Sequence, residues 1–234
     1  DGPLASLEGA RLAVRQLPRP LSEPVRVLFA RGTYRIDQAV AFDARDSGET
    51  GKVVSYEAAA GAEVVISGGK TLPGFHEVKS GRWELSLPAG TGPFEQLWVG
   101  NRRAIRARSV SHGYHFLRSL EAEKKLPSGT GTEAYEQVLR VDPNDLAPFR
   151  QVTAAEAKDA VINFYHKWDN TRRRVESVDP LRGTVIVRGG PVKPHNTLDH
   201  NTGYIIENLP SLLDQPGEWF LSRPGLLAYL PRLG

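Results

Sequence analysis

The chain of 234 residues contains no cysteine, which rules out disulfides, thiolate metal sites and cysteine nucleophiles together. No stretch approaches the roughly 18–20 consecutive apolar residues of a membrane span. No signal-type apolar segment stands at the start, so any export signal is expected to have been removed or to lie outside these residues. Helical periodicity is scarce, and between Val25 and Gly69 the gaps separating apolar runs are too short for the crossover helices of a doubly wound sheet. Familiar chemical signatures are missing too. Gly68-Gly69-Lys70-Thr71 ends like a phosphate-binding loop, but the first glycine of that motif would fall at Val64, inside a β-type run. No Gly-x-Ser-x-Gly elbow anchors a nucleophilic serine, so a Ser/His/Asp triad stays open without a candidate.

What is present is β-type. Hydrophobic residues make up 40% and charged residues 24% of the chain, ordinary values for a globular protein long enough to bury a core. Runs at 25–29, 33–36, 39–42, 53–56 and 64–66 are rich in β-branched and aromatic residues, with Gly32, the stretch 43–51, Gly61 and Gly68-Gly69 between them. This pattern alone suits a meander, a sandwich or the coiling parallel sheet of a β-helix. The clearest helix spans 6–17: Ser6 is a plausible N-cap, Leu7, Ala10, Val14 and Leu17 share a face, Arg11 and Arg15 point away, and Pro18 and Pro20 stop it. Laid across the end of a sheet, it would cover exposed edge groups.

From about Leu72 to Pro231 the pattern is that of antiparallel β. Residues 83–87 alternate, and Gly100-Asn101 is a two-residue hairpin turn. Residues 161–168 place Ile162, Phe164, His166 and Trp168 on one strand face, and 184–187 follow the turn 179–183. The Gly/Pro-rich stretches 88–93 and 126–132 are expected loops. Thr153-x-x-Glu156 is a capping-box pattern ahead of one or two helical turns, and 208–215 predicts another short helix burying Leu209, Leu212 and Leu213. Two packed sheets are the expected outcome.

A resemblance narrows the choice. Asp1-Gly2-Pro3, the stretch from Ser6 to Arg15, Arg31-Gly32-Thr33-Tyr34, Asp46-Ser47-Gly48, Tyr56 and Val65-Ile66-Ser67-Gly68-Gly69 occur in order. Gln96-Leu97-Trp98-Val99-Gly100-Asn101 through Arg108, Gly203 to Asn208, Pro216 to Leu221 and Leu227 to Pro231 follow. Together they resemble the opening of secreted bacterial right-handed parallel β-helix carbohydrate-active enzymes of the pectin-lyase-like fold, most similar to the α-L-fucosidase- and xylanase-type glycoside hydrolases. The resemblance implies an all-β chain in two parts. Residues 1–69 would be a helix-capped N-terminal β-helix segment, and 70–234 an antiparallel β-sandwich-like insertion. It implies a secreted or periplasmic location, a polysaccharide or oligosaccharide as ligand, and further β-helix coils as structural partner. In this family the catalytic carboxylates are expected on later coils, so residues 1–234 are expected to supply scaffold and cleft wall and to be inactive alone. The alternatives are a non-catalytic carbohydrate-binding or cell-surface adhesion module, and a self-contained hydrolase or lyase.

The candidate side chains give no catalytic set. Glycoside hydrolysis needs two carboxyl groups about 5–9.5 Å apart; the available pairs are Asp43 with Asp46, Asp142 with Asp145, and Glu207 with Glu218, and none coincides with a family position. Asp43 and Asp46 suit a turn. His195, Asp199 and His200 share a loop, as do His112 and His115, but neither spacing is that of a zinc site, so no metal or other cofactor is expected. Arg102, Arg103, Arg106 and Arg108 form one basic group and Arg172-Arg173-Arg174 another, within a net charge of only +3. Alternation puts Arg102, Arg106 and Arg108 on one face, where they could meet an anionic glycan or simply cover apolar surface; no nucleic-acid-binding signature accompanies them. Of Trp83, Trp98, Trp168 and Trp219, core packing is expected for most, with Trp168 beside His166 the best sugar-stacking candidate. The expected substrate-binding residues are therefore Trp168, His166, Arg106 and Arg108.

Overall fold

The computed structural model describes residues 3–78, 81–127 and 134–232. It is mostly β with few helices, and its sheets include a curled half-barrel. The chain divides into two compact units, Asp1–Pro73 and Gly74–Gly234.

The first unit opens with helix α1 (Leu7–Arg15), capped as its sequence predicts: Ser6 is extended and its hydroxyl accepts from Gly9 N at 3.0 Å. Four short strands follow: β1 (Val25–Phe29), β2 (Gly32–Arg35), β3 (Val54–Ala58) and β4 (Val64–Ser67). β1 pairs in parallel with β3, Val25 opposite Val54, and β2 in parallel with β4, Gly32 opposite Val64. The two pairings thus join residues 29 (54 − 25) and 32 (64 − 32) apart in the chain. Phe29 is buried against the edge of Tyr34, ring centroids 4.9 Å apart.

Two expectations for this unit are corrected. Residues 39–42 form no strand; Phe42 instead sets its ring edge against Tyr56 at 5.4 Å, so the apolar run packs by side chain without a ladder. Arg11 and Arg15 do not point away. A short 3₁₀ turn (Ala44–Asp46) presents Asp46 to the helix, and Arg15 grips it with Nε and Nη2 at 2.5 and 2.6 Å while Arg11 Nη1 lies 3.6 Å away. The helix face is therefore chosen by charge as well as by apolar surface: Ala10, Arg11 and Val14 are buried, whereas Leu12 and Leu17 stay exposed.

The second unit contains β5 (His76–Glu77), β6 (Trp83–Ser86), β7 (Trp98–Val99), β8 (Arg102–Arg103), β9 (Ile105–Arg106) and β10 (His115–Phe116). β11 (Ser119–Lys125), β12 (Tyr135–Arg140), β13 (Val161–Tyr165), β14 (Asn170–Asp179) and β15 (Thr184–Gly189) come next. β16 (Gly203–Glu207), β17 (Glu218–Leu221) and β18 (Leu226–Tyr229) complete it. Seven strands form one sheet in the order β10-β16-β13-β14-β15-β12-β11, every neighbour antiparallel. Five form a second, β5-β6-β18-β17-β9, in which only β17 with β9 runs parallel. Gly100 and Asn101 have φ of 56° and 60°, the left-handed pair of a two-residue hairpin turn, and join β7 to β8. The main core gathers Leu139, Ile162, Phe164, Val175, Val185, Val187, Tyr204 and Ile206 from alternate positions of the seven-stranded sheet.

The capping box forms as expected: Thr153 and Glu156 bond reciprocally at the start of α2 (Ala154–Ala157). The helix expected over 208–215 shrinks to a 3₁₀ turn (Pro210–Leu212), because Asn208 sits at φ 64° and cannot begin a helix. The expected loop 126–132 lies mostly outside the described residues. No helix among them is long and apolar enough to cross a membrane.

Candidate functional site

The strongest concentration of chemistry in the second unit begins at β9. Its parallel register sets Arg106 beside Trp219 of β17, and the Arg106 guanidinium lies 4.5 Å over the Trp219 ring. Phe94 stacks on the same indole at 5.4 Å and 15°, and its carbonyl accepts from Arg106 Nη2 at 2.8 Å. Next in the chain, Glu95 lies 3.5 Å from Arg106 and takes an ion pair from Arg172 Nη1. The other arm of Arg172 reaches Glu207, at the end of β16, across 3.5 Å. Two carboxylates thus share one guanidinium. Burial raises the pKa of Glu207, with Arg172, Arg106 and Arg108 opposing. Burial also works on Glu95, but the Arg172 hydrogen bond and the charges of Arg106, Arg172 and Arg174 prevail and lower it. Environments that push two carboxyl groups in opposite directions are what acid/base pairs are made from. A cavity of about 260 Å³ opens beside Glu95 and Arg106, lined also by Phe94, Asp159, Arg174 and Arg223, among others.

The four expected substrate-binding residues do not assemble. Arg106 is turned inward and committed to Trp219, Phe94 and Glu95. Arg108 is half-buried and bridges backbone to backbone with Glu207. Arg102 and Arg106 do not share one strand: Arg102 is on β8, paired with β7, and Arg106 on β9 of the five-stranded sheet. His166 and Trp168 lie past the opposite end of β13: Val161 pairs with Glu207, and His166 is five residues on, about 16 Å away at ~3.3 Å per residue. They are not on the strand face with Ile162 and Phe164 either. β13 ends at Tyr165, where His166 N bonds Asp169 O to close a turn, and Trp168 at its tip is 89% exposed. His166 holds Thr171 Oγ1 at 3.1 Å, and burial lowers its pKa. Trp83 and Trp98, on strands of four and two residues, are exposed rather than core; Trp219 alone of the four is buried, at 1% exposure.

Each carboxylate pair is engaged by its surroundings. Asp43 and Asp46 form the capping box of the 3₁₀ turn and share Arg15. The hydrogen bond from Arg15 holds the Asp46 carboxyl down at about 2, against the cost of its burial. Because the folded value lies below the unfolded one, the pair stabilises the unit above roughly pH 4 and stops doing so as pH falls toward 2. At pH 5 the parent should melt above Asp46→Asn in circular dichroism; by pH 2 that gap should close, and a gap unchanged by acid would refute the assignment. Asp142 caps the turn at Asn144 and pairs with Arg118, whereas Asp145 turns to His115 and Tyr204. Glu218 is buried and accepts from the backbone of Asp214 and Gln215. Asp199 is spent on its own turn, bonding Thr197, Asn201 and Thr202. Among the described residues no group of three or more His, Asp and Glu side chains could hold a metal ion. Sequence reasoning missed Glu95 and saw Arg172 only as one of three consecutive arginines; the two sit 77 residues apart, and no local signature joins them.

The sequence matches no family profile and no curated protein. A solved structure named glycoside hydrolase has the same fold, with a TM-score of 0.76 at 23% sequence identity over 100% of this chain. This chain spans 41% of the length of that protein.

Proposed function

We propose that the chain is the scaffold and cleft-wall part of a larger secreted polysaccharide-degrading glycoside hydrolase, whose catalytic carboxylates lie elsewhere in the whole protein. The observation that carries this reading is the likeness, along the full chain, to less than half of a glycoside hydrolase. The two parallel pairings, offset by 29 (54 − 25) and 32 (64 − 32) residues, support a β-helix of the pectin-lyase type in the first unit, with α1 as its end cap. A fully exposed indole at a turn offers an apolar face to a pyranose at no cost to the fold. Trp168 is therefore the proposed sugar platform, with His166 beside it and Arg108 a separate contact. Arg106 organises the Glu95–Glu207 cluster rather than touching sugar.

An oligosaccharide array followed by calorimetric titration tests this. Trp168→Ala should weaken the best glycan about ten-fold, near 1.4 kcal/mol, while leaving the melting temperature unchanged. Absence of any glycan binding would sink the reading. Aryl fucosides, aryl xylosides and xylan should not be turned over. The opposed environments of Glu95 and Glu207 favour one competitor, a self-contained hydrolase. Turnover abolished by Glu207→Gln would replace the scaffold reading with that one.

A further inference from the structure

The seven-stranded sheet holds a second constellation, at Ile206 next to Glu207 on β16. Ser109 Oγ lies 3.0 Å from His115 Nε2, and His115 Nδ1 lies 2.9 Å from Asp145 Oδ1. We propose that Ser109, His115 and Asp145 form a nucleophilic triad that hydrolyses small carboxylic esters, an activity separate from any glycosidic chemistry.

The geometry supplies each role. Both nitrogens of His115 are engaged, so a proton on Nδ1 donates to Asp145 and leaves Nε2 free to take the hydroxyl proton of Ser109. Asp145 is itself oriented: its other oxygen accepts the Tyr204 hydroxyl at 2.7 Å, and its backbone N bonds Asp142 O at 3.0 Å. The Tyr204 ring, fully buried, also lies tilted against the imidazole at 5.3 Å. Ser109 is held by β16: its N bonds Ile206 O at 2.8 Å, and Ile206 N donates to its Oγ at 3.1 Å. That backbone donor occupies one Oγ lone pair and favours loss of the hydroxyl proton, and a second lone pair stays free to attack. β16 thus positions the members at once, pairing Tyr204 with His115 in the ladder. Ser109 is half-buried, and the His115 and Asp145 side chains keep 17% and 18% of their surface exposed, so the constellation is not sealed from solvent.

The reaction balances without any further reagent than water. Ser109 Oγ bonds the ester carbonyl carbon as its proton passes to His115 Nε2. The alkoxy oxygen leaves with that proton, giving an alcohol and an acyl-serine. Water then adds to the acyl carbon, giving a proton to Nε2; the bond to Oγ breaks, Oγ recovers the proton, and the carboxylic acid departs.

A fluorophosphonate probe and p-nitrophenyl acetate test the triad on the whole chain. The expected result is one adduct on the peptide carrying Ser109, none there in Ser109→Ala, and labelling and ester hydrolysis slowed about a hundred-fold or more in His115→Gln. No adduct at Ser109, or an unchanged rate in His115→Gln, would overturn the proposal. Ser109→Cys guards against a folding defect in the alanine variant, because the chain has no other cysteine. Paired with His115, that thiol should react with iodoacetamide at pH 6 at least about ten-fold faster than free cysteine. Reaction at the free-cysteine rate means that the histidine does not activate position 109 and would equally overturn it.

Discussion

Replacing Asn208 with alanine should destabilise the second unit by about 4 kcal/mol or more, the largest effect of any single polar substitution proposed for this protein. The side chain is buried and makes three bonds to main chain: Nδ2 donates to Asp159 O at 2.8 Å and Leu221 O at 2.9 Å, and Oδ1 accepts from Leu221 N at 3.0 Å. It thereby ties the end of β16 to β17 and to the approach to β13. Alanine strands three buried backbone groups, each worth roughly 1–3 kcal/mol when unsatisfied. It also forces a Cβ-bearing residue with no compensating side-chain bond to hold φ at 64°, which costs about 1–2 kcal/mol. Asn208→Gly removes the second penalty only and should recover about 1 kcal/mol of the loss. Urea unfolding followed by circular dichroism separates the two. An alanine variant within 1 kcal/mol of the parent (about a five-fold change in the unfolding equilibrium) would show that water or relaxation replaces the asparagine.

Trp219→Ala should cost about 3–5 kcal/mol, the range for removing a buried aromatic side chain. The indole is buried between two partners, Phe94 stacked on it and Arg106 over its ring. Removing it therefore opens a cavity and leaves Arg106 half-buried beside empty space. Trp219→Phe keeps most of the volume and should lose less than half as much. A double-mutant cycle between Trp219→Phe and Arg106→Ala should return a coupling of roughly 0.5–2 kcal/mol from the cation–ring contact. Additive losses would mean that Arg106 is held by Phe94 and Glu95 alone. Arg106→Lys should not substitute, because a compact ammonium can neither stack flat on the indole nor keep the fork that reaches Phe94 O.

The candidate site was only partly legible in advance. The strand position that the sequence pattern suggests for Trp168 is not the one it occupies: the turn closed by His166 and Asp169 carries it into solvent. Arg106 was read as surface charge and proves to be folded over Trp219, since only the β9–β17 register brings the two together. The Glu95–Arg172–Glu207 cluster and the Ser109–His115–Asp145 contact join residues from separate strands and turns, and neither leaves a spacing in the chain that a motif could catch. By sequence Asp145 pairs with Asp142, three residues away; the fold gives it His115 and Tyr204 instead.

Features whose energetics close within a few residues were settled by the amino-acid order alone. Ser6 caps α1, Thr153 and Glu156 make their reciprocal bonds, Gly100-Asn101 turns a hairpin, and short β-branched runs become strands. Each depends on a backbone preference or on a side chain reaching the nearest amide. The parallel pairing of the first unit, the inward turn of Arg11 and Arg15 toward Asp46, and the placing of serine against histidine were decided by tertiary structure. These depend on strand register and on which charges burial brings within a few ångströms. Such distances exist only once remote segments have been packed, because the free energy that selects them is the burial of the whole unit rather than any local preference.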